Sequence, residues 1–235
     1  MNGLILDIIG RGREMILALH GAPGTDHRLF RPELDRLGNF ARLVYVDLPG
    51  HGRTPPPTDW SMATMAEIVE DVRRYARVER LSVLGSSYGG FIALHAALAQ
   101  PKTISRLLLV DTAGSDAFRA ASIDRAEELA TPEQRVAFDR LWSDALVDDD
   151  DFRRTWRVLF PLYFSRATEA QIDAFAARTS YRLATRRAIL PTMSGWDLTA
   201  RLRALTMPAL VIAGEDDWIT PPPIARALAD ALHRS

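Results

Sequence analysis

A serine between closely spaced glycines is the first candidate for chemistry in this chain. Residues 85–90 read Gly85-Ser86-Ser87-Tyr88-Gly89-Gly90, which fits the pattern G-x-S-x-G with Ser87 at its centre. In this pattern the serine lies on a sharp turn between a strand and a helix, where flanking side chains would collide with neighbouring elements. The turn exposes the hydroxyl, and the Tyr88 amide at the helix N-terminus can donate to a developing oxyanion. The spacing indicates a nucleophilic serine; a Gly-Ser turn without chemistry is the other interpretation.

Two further loops could complete a site for acyl transfer. Such a site needs a second amide that faces the nucleophile turn. The first loop reads His20-Gly21-Ala22-Pro23-Gly24, and the Ala22 N–H is the candidate donor, although Pro-Gly pairs also mark plain turns. The second loop reads Asp47-Leu48-Pro49-Gly50-His51-Gly52-Arg53. We interpret it as a tight turn that shapes the rim of the site.

The elements that must position these loops alternate between short apolar runs and helical patterns. This alternation is typical of an α/β fold with a mostly parallel sheet and helices on both faces. Most of the runs are continuously apolar, as expected of strands buried on both sides. The predicted strands are Leu4–Ile9, Met15–His20, Leu43–Asp47, Leu81–Gly85, Leu107–Asp111 and Ala209–Gly214.

Helical patterns fill the remaining sequence. One helix is predicted from Ser61 or Thr64 to Val78, and a deeply buried one from Ser87 to Gln100, where Pro101 ends it. The core stripe of the first of these helices is predicted to hold Met62, Met65, Ile68, Val69, Val72 and Tyr75.

The stretch 113–205 shows no strand pattern and predicts a helical insertion of about 90 residues. Thr131-Pro132-Glu133-Gln134 and Thr168-Glu169-Ala170-Gln171 both fit capping boxes, and the acids at 148–151 suit the start of another helix.

Composition excludes several classes of protein. The chain has 235 residues, of which 47% are hydrophobic and 25% charged, with a net charge of −1. This balance does not favour nucleic acid or an anionic membrane as a partner. There is no cysteine, and the five histidines are scattered, so we expect neither disulfides nor a metal site, and we expect no cofactor. Because no signal pattern or long apolar run is visible, a cytoplasmic location is expected.

Taken together, the three loops resemble those of the α/β-hydrolase superfamily, and within it the proline iminopeptidase-like branch. A fourth matching stretch reads Met207-Pro208-Ala209-Leu210-Val211-Ile212-Ala213-Gly214-Glu215-Asp216-Asp217. The resemblance implies that Ser87 is the nucleophile and that the Ala22 and Tyr88 amides form the oxyanion hole. It also implies that Asp217, with Asp216 as the second choice, is the acid that orients a histidine.

The resemblance further predicts the domain organisation. Residues 1–112 would form the first part of the hydrolase core, residues 113–205 a helical lid over the substrate, and residues 206–235 the second part of the core. The fold of the family continues with one more strand and helix, which we expect to be missing from this chain. An apolar strand left at the sheet edge invites pairing, so self-association through that edge is expected.

The catalytic histidine of the family is the part of the pattern that has no clear match. In the family the order is Ser, Asp, His, and the only histidine after Asp217 is His233. A helix over 222–232 would carry His233 about 16 Å away from the catalytic face. His20 is expected to bond local backbone, and His95 to be a core or groove residue. His27 and His51 lie on loops at the catalytic face and are alternative bases.

Three explanations for the missing histidine stay open. In the first, which we favour, the sequence is a shortened form of a longer enzyme. In the second, the chain is a non-catalytic relative. In the third, another subunit supplies the base. The first makes the chain a serine hydrolase of a small ester, lactone or amide, including an N-terminal prolyl peptide. The second makes it a binding module. A peptidase would need a lid acid for the substrate amine, and the candidates are Glu127, Glu128, Asp144 and Glu169.

The substrate pocket is the least determined feature. The predicted lid carries a set of aromatic residues that either line an apolar acyl pocket or belong to the core: Trp142, Trp156, Phe160, Tyr163, Phe164 and Trp196. The expected partner is therefore a small-molecule or short-peptide acyl substrate.

Overall fold

Six strands form one sheet in the order β1-β3-β2-β4-β5-β6 in a computed structural model, which describes residues 3–164 and 166–232. β1 runs antiparallel to β3, and the other neighbouring strands are parallel, which confirms the predicted α/β class with a mostly parallel sheet. The strands are β1 Ile5–Ile9, β2 Met15–Leu19, β3 Arg42–Asp47, β4 Leu81–Ser86, β5 Ile104–Val110 and β6 Ala209–Ile212.

The central strands are apolar because both of their faces are covered. Nearly every residue of β2, β3 and β4 is buried, which accounts for their continuous apolar runs. β5 begins three residues before the predicted start at Leu107. The prediction was wrong because Ser105 and Arg106 look like loop residues, yet the Ser105 hydroxyl bonds that of Ser82 across the sheet at 2.9 Å.

Helices cover the sheet, and their bounds follow the capping signals closely. The helices are α1 Met62–Ala76, α2 Tyr88–Ala99, α3 Phe118–Leu129, α4 Pro132–Leu141, α5 Asp149–Tyr163, α6 Glu169–Arg178, α7 Leu183–Ile189, α8 Thr199–Leu202 and α9 Pro222–Leu232.

α1 shows where the predicted core stripe fails. The Ser61 hydroxyl accepts the Thr64 N–H and caps the helix, as predicted, and the middle of the stripe is buried. Tyr75 was predicted to be buried and is 60% exposed. It lies in the last turn of α1, at an open groove that it lines together with Ile8 of β1. The helical period continues there, but no element of the described chain covers it.

The helical segment 113–205 lies between β5 and β6 and contains α3 to α8. Both predicted capping boxes are present, at Thr131 with Gln134 and at Thr168 with Gln171. The segment has its own apolar cluster, and Trp142 packs against both this cluster and the core around the sheet. Its boundaries with the core, at 112 and 206, stay predictions.

The far end of the described chain is α9, at the position the sequence predicts. α9 packs on β6 and α8. His233 lies outside the described residues. No helix in the described ranges combines the length and the apolar character needed to cross a membrane.

β6 is an edge strand with exposed apolar side chains. Leu210 and Ile212 are 53% and 47% exposed, and among the described residues β6 pairs with β5 alone.

We predict that the 235-residue chain self-associates through this edge and that a Leu210→Lys, Ile212→Lys double variant is more monomeric, because charge on an edge opposes strand pairing. Sedimentation velocity over a range of concentrations measures this. Val136→Lys, at a 61% exposed apolar residue of α4, is the control. A wild-type chain that stays monomeric at all concentrations contradicts the prediction.

Candidate active site

Ser87 occupies the junction between β4, which ends at Ser86, and α2, which begins at Tyr88. Its backbone has φ +50° and ψ −118°, a conformation that residues other than glycine rarely adopt and that is concentrated at functional sites. The turn is held from the side of β5. The Ser87 N–H donates to the Val110 carbonyl at 2.9 Å, and the Thr112 hydroxyl donates to the Ser87 carbonyl at 2.8 Å.

Glycine is required at positions 85 and 89 of this turn because the surrounding backbone leaves no space for a Cβ. A Cβ on Gly89 would lie 2.0 Å from the Leu19 carbonyl oxygen, so the first turn of α2 packs directly on the end of β2. A Cβ on Gly85 would lie 2.5 Å from the Gly89 carbonyl oxygen. The spacing of the motif is therefore a packing requirement, as the sequence analysis expected.

The loop 20–24 meets the nucleophile turn because β2 and β4 are neighbouring parallel strands, with Leu19 opposite Gly85. A Cβ on Gly21 would lie 2.9 Å from the Ser87 Cβ, so the two turns are in contact. Ala22 also has a positive φ of +52°, and its carbonyl accepts two hydrogen bonds from Thr25, at 3.0 Å from the amide and 2.7 Å from the hydroxyl.

Three polar groups at this contact have no partner among the described residues. The Ser87 hydroxyl makes no hydrogen bond, and neither the Tyr88 N–H nor the Ala22 N–H donates one. A free hydroxyl and a free amide on one turn, in contact with a loop that carries a second free amide, can attack a carbonyl and stabilise the oxyanion that forms.

The structure places Asp217 in the turn after β6, with its carboxylate bound to the chain that follows. One oxygen accepts the Ile219 and Thr220 amides at 2.8 and 3.0 Å, and the other accepts the Thr220 hydroxyl at 2.7 Å. Asp216, the second choice, is exposed. Of the two acids, Asp217 is therefore the one that is held in a fixed position.

Asp111 is a second carboxyl group at this place, and the sequence analysis missed it by treating it as the last residue of a strand. It follows β5 with φ +47°, and its carboxylate accepts the Gly214 amide at 3.0 Å. Burial raises the pKa of Asp111, and the neighbouring Asp217 carboxylate raises it further. An acidic residue at the carboxyl end of the strand next to the nucleophile strand was the available signal.

Two of the histidines, His27 and His20, are engaged in holding loops together. The His27 ring lies between two carboxylates, with Nδ1 2.6 Å from Asp47 and Nε2 3.0 Å from Asp7. The His20 ring lies 2.8 Å from the Gly21 carbonyl, and its Nε2 accepts the Leu48 amide at 3.3 Å. The expectation that His20 bonds local backbone is confirmed, and both rings act as braces.

His51 is fully buried and leaves one nitrogen without a partner. Its Nδ1 donates to the Pro49 carbonyl at 2.9 Å, whereas its Nε2 has no hydrogen bond among the described residues. Burial lowers the pKa of His51 to about 3, so the ring is neutral near pH 7. The ring lies 6.3 Å, between centroids, from that of Tyr88. Within residues 3–164 and 166–232, no histidine is hydrogen-bonded to Ser87.

The helical segment contributes aromatic side chains to the region beside the site. Ala22, on the 20–24 loop, and Trp218, next to the candidate acid in sequence, pack in the same apolar cluster as Trp142, Phe152 and Trp156. Trp142, Trp156 and Phe160 thus pack in that cluster, which reaches the loop that carries the candidate oxyanion donor. Trp196 packs on the core around the sheet, and Tyr163 and Phe164 are exposed.

The four acids that were predicted as candidates to bind a substrate amine are engaged in surface ion pairs instead. All four are exposed and each is ion-paired with an arginine. The pairs are Glu127 with Arg135, Glu128 with Arg125, Asp144 with Arg187, and Glu169 with Arg157. As for metals, the described part of the chain holds no cluster of three or more potential ligands.

Comparison with known proteins relates this geometry to a large family. The profile of the α/β hydrolase fold family matches residues 14–234. A proline iminopeptidase of Pestalotiopsis fici is 27% identical, with 93% of this chain and 80% of that protein covered. The pimeloyl-[acyl-carrier protein] methyl ester esterase of Edwardsiella ictaluri is 32% identical, with 99% and 86% covered. An esterase structure from Exiguobacterium antarcticum has a TM-score of 0.74 at 19% identity, covering 97% of this chain and 83% of that one.

We predict that Gly89→Ala destabilises the protein by about 3 kcal/mol, because the added Cβ would overlap the Leu19 carbonyl and the backbone on both sides cannot move independently. Urea denaturation measures the change. Gly214→Ala is the matched control, since the nearest atoms to its Cβ would be 3.7 Å away, and its effect should stay within about 0.5 kcal/mol. Equal effects of the two substitutions would contradict the packing argument.

The buried neutral state of His51 predicts an acid-sensitive fold. Below about pH 6.5 the unfolded chain gains a proton on His51 that the folded chain does not, so the free energy of unfolding falls as pH drops toward 3. The slope from one such group is about 1.4 kcal/mol per pH unit. His51→Asn, which retains a donor toward Pro49, should reduce the difference in unfolding free energy between about pH 7 and about pH 5. An unchanged difference would show that His51 titrates normally.

Proposed function

Because the chain belongs to the α/β-hydrolase fold family and is similar to proline iminopeptidases, we propose that it cleaves a small ester, lactone or amide through an acyl-enzyme on Ser87. The observation that carries the proposal is the strained Ser87 turn, whose free hydroxyl lies against the loop of Ala22 and beside two unpartnered amides. The named activities of the relatives, iminopeptidase and methyl ester esterase, support acyl transfer as the shared chemistry.

The proposed reaction has two steps. The Ser87 hydroxyl attacks the substrate carbonyl, and the Tyr88 and Ala22 amides stabilise the tetrahedral oxyanion. The leaving group departs and the acyl group stays on Ser87. Water then attacks the acyl-enzyme and releases the acid. The strained backbone is fixed before substrate binds, so the donors need little reorganisation when charge develops.

Asp217 is the proposed acid of the site. Its carboxylate is held by the 219–220 amides at the carboxyl end of the sheet, where the side chains after parallel strands meet. In this role it would orient and stabilise the protonated base. The adjacent Asp111 has a pKa raised by burial and by the Asp217 carboxylate, because two negative charges close together are unfavourable.

The helical segment is the proposed lid. Its cluster contacts Ala22 and Trp218. In this role it would enclose the space above the nucleophile turn, and an enclosed site would strengthen the oxyanion interactions by excluding water. The partner proposed for this site is a small-molecule or short-peptide acyl substrate.

A binding module that retains the site without turnover is the second candidate. The observation that favours it is the absence, within the described residues, of any hydrogen bond between Ser87 and a histidine. Removal of a catalytic base leaves about 10³–10⁴-fold acceleration over water from the oxyanion hole and binding. Slow but measurable turnover therefore separates an impaired hydrolase from a binder.

We predict that a fluorophosphonate labels Ser87, slowly compared with an α/β-hydrolase in which a histidine is bonded to the serine, because no described base activates the hydroxyl. Hydrolysis of a short-chain nitrophenyl ester should fall to the uncatalysed rate in Ser87→Ala. Mass spectrometry locates the label, and Ser86→Ala, the adjacent serine at the end of β4, is the matched control. Equal ester hydrolysis by wild type and Ser87→Ala would favour the binding module, and rapid stoichiometric labelling would reveal a working base.

A further inference from the structure

Arg186 on α7 is a buried cation that has no carboxylate partner among the described residues. The residue is 4% exposed. One Nη donates to the Leu141 carbonyl, and Nε has no hydrogen-bond partner. The guanidinium lies against two aromatic rings, with Cζ 5.4 Å from the Phe152 centroid and 5.9 Å from that of Trp142. By contrast the next residue, Arg187, is exposed and paired with Asp144.

A buried charge in this condition is unusual. Burial lowers the pKa of Arg186 to about 10, so the group is still a cation near pH 7. Taking a guanidinium out of water costs several kcal/mol unless an anion or a full set of acceptors compensates it. A single carbonyl and two π faces supply only part of that compensation. The side chain therefore has unused capacity for an anion.

The helix that carries Arg186 packs against the loops of the candidate active site. α7 is anchored to the catalytic-face loops: the Arg182 amide donates to the Gly24 carbonyl at 2.7 Å, and the Thr185 hydroxyl donates to the Gly50 carbonyl. A Cβ on Gly24 would lie 3.2 Å from the Arg186 Cβ, so Arg186 packs on the loop that carries Ala22.

Tyr163 provides a second link between Arg186 and the site. Its ring makes an edge contact with Trp218 at 5.2 Å between centroids, and its hydroxyl is close enough to interact electrostatically with both Arg186 and Asp217. Tyr163 is therefore close to both Arg186 and the candidate acid.

The apolar cluster around Phe152 and Trp142 adds further buried donors without a partner among the described residues. The indole N–H groups of Trp142, Trp156 and Trp218, all in the apolar cluster of the helical segment, are buried without a hydrogen-bond partner. Unpaired buried donors next to an uncompensated cation form a region that favours a negatively charged group. An ammonium group would instead be repelled, and the acids of the helical segment proposed for it are exposed and paired.

We propose, resting on the proposed hydrolase function, that Arg186 binds a carboxylate of the substrate that is separate from the scissile carbonyl. The substrate class is then a half-ester, half-amide or lactone that carries a free carboxylate. The planar guanidinium, which lies against the Phe152 and Trp142 rings, would offer its remaining N–H groups to such a carboxylate, and a bidentate interaction is the strongest geometry for this pair.

Protection of Ser87 against a fluorophosphonate tests the proposal without requiring turnover. The probes are linear dicarboxylates from succinate to suberate, each compared with the diamide of the same length. For at least one length, the wild-type chain should be protected by the dicarboxylate at a concentration at least about tenfold below that of the diamide. Arg186→Met should abolish this preference while leaving protection by the diamide unchanged, a split that a purely structural role would not produce.

Arg187→Met is the matched control and should keep the preference, because Arg187 is exposed and paired. Arg186→Lys retains the positive charge but not the bidentate geometry of the guanidinium, so it should keep a smaller preference. It is the variant to use if Arg186→Met does not fold. Equal protection by dicarboxylate and diamide at every length in the wild type, or a full preference in Arg186→Met, overturns the proposal. If Ser87 does not label at all, the hydrolase proposal fails, and calorimetric titration of the same dicarboxylates into wild type and Arg186→Met decides carboxylate binding separately.

Discussion

The direct packing of the first turn of α2 on the end of β2 is the constraint from which the rest of the site follows. Gly89 leaves no room for a side chain beside the Leu19 carbonyl, and the chain must nevertheless leave β4 and enter a helix within one residue. Ser87 absorbs the sharp change of direction with a positive φ. Two hydrogen bonds offset this strain: the Ser87 amide donates to the Val110 carbonyl, and the Thr112 hydroxyl donates to the Ser87 carbonyl. The packing of α2 on β2 thus fixes the Ser87 hydroxyl, the free Tyr88 amide and the helix N-terminus together.

The loops opposite Ser87 are held by buried charge and by histidines that act structurally. Asp47 is buried, which by itself would raise its pKa, yet hydrogen bonds from His27 and from the Arg53 amide outweigh burial and hold that pKa well below its usual range. This network fixes the 47–53 loop, whose Gly52 amide in turn bonds the Thr25 carbonyl next to Ala22. The candidate oxyanion loop is thus braced from β3 as well as from β2, and a histidine engaged in this brace is not free to serve as a base.

The sequence predicted those features that depend on local pattern and on the order of strands. The α/β class, the strand-turn-helix at Ser87, both capping boxes and the bounds of α9 follow from apolar periodicity and from capping or turn residues. Features decided by tertiary contacts were missed. β5 starts early because polar residues pair with β4, and Tyr75 continues the helical period where no core covers it. The role of Asp111 depends on Asp217, which is about a hundred residues away in sequence but close in space because β5 pairs with β6. Arg186 looked like one of many arginines because nothing in its neighbourhood in the sequence reveals that it is buried.

The distribution of charge between surface and interior explains how a nearly neutral chain can still have a polarised site. The acids of the helical segment that could have faced a cationic substrate are paired with arginines in solvent, where such pairs contribute little to stability. Two unlike centres remain without an opposite charge: the half-buried Asp111–Asp217 carboxyl pair at the end of the sheet and the buried Arg186. Tyr163 interacts electrostatically with both Asp217 and Arg186. Each centre is incompletely compensated in the described chain, the acids because they oppose each other and the arginine because it has one carbonyl partner. A carboxylate bound to Arg186 would compensate the cation, and a protonated base beside Asp217 would compensate the acids.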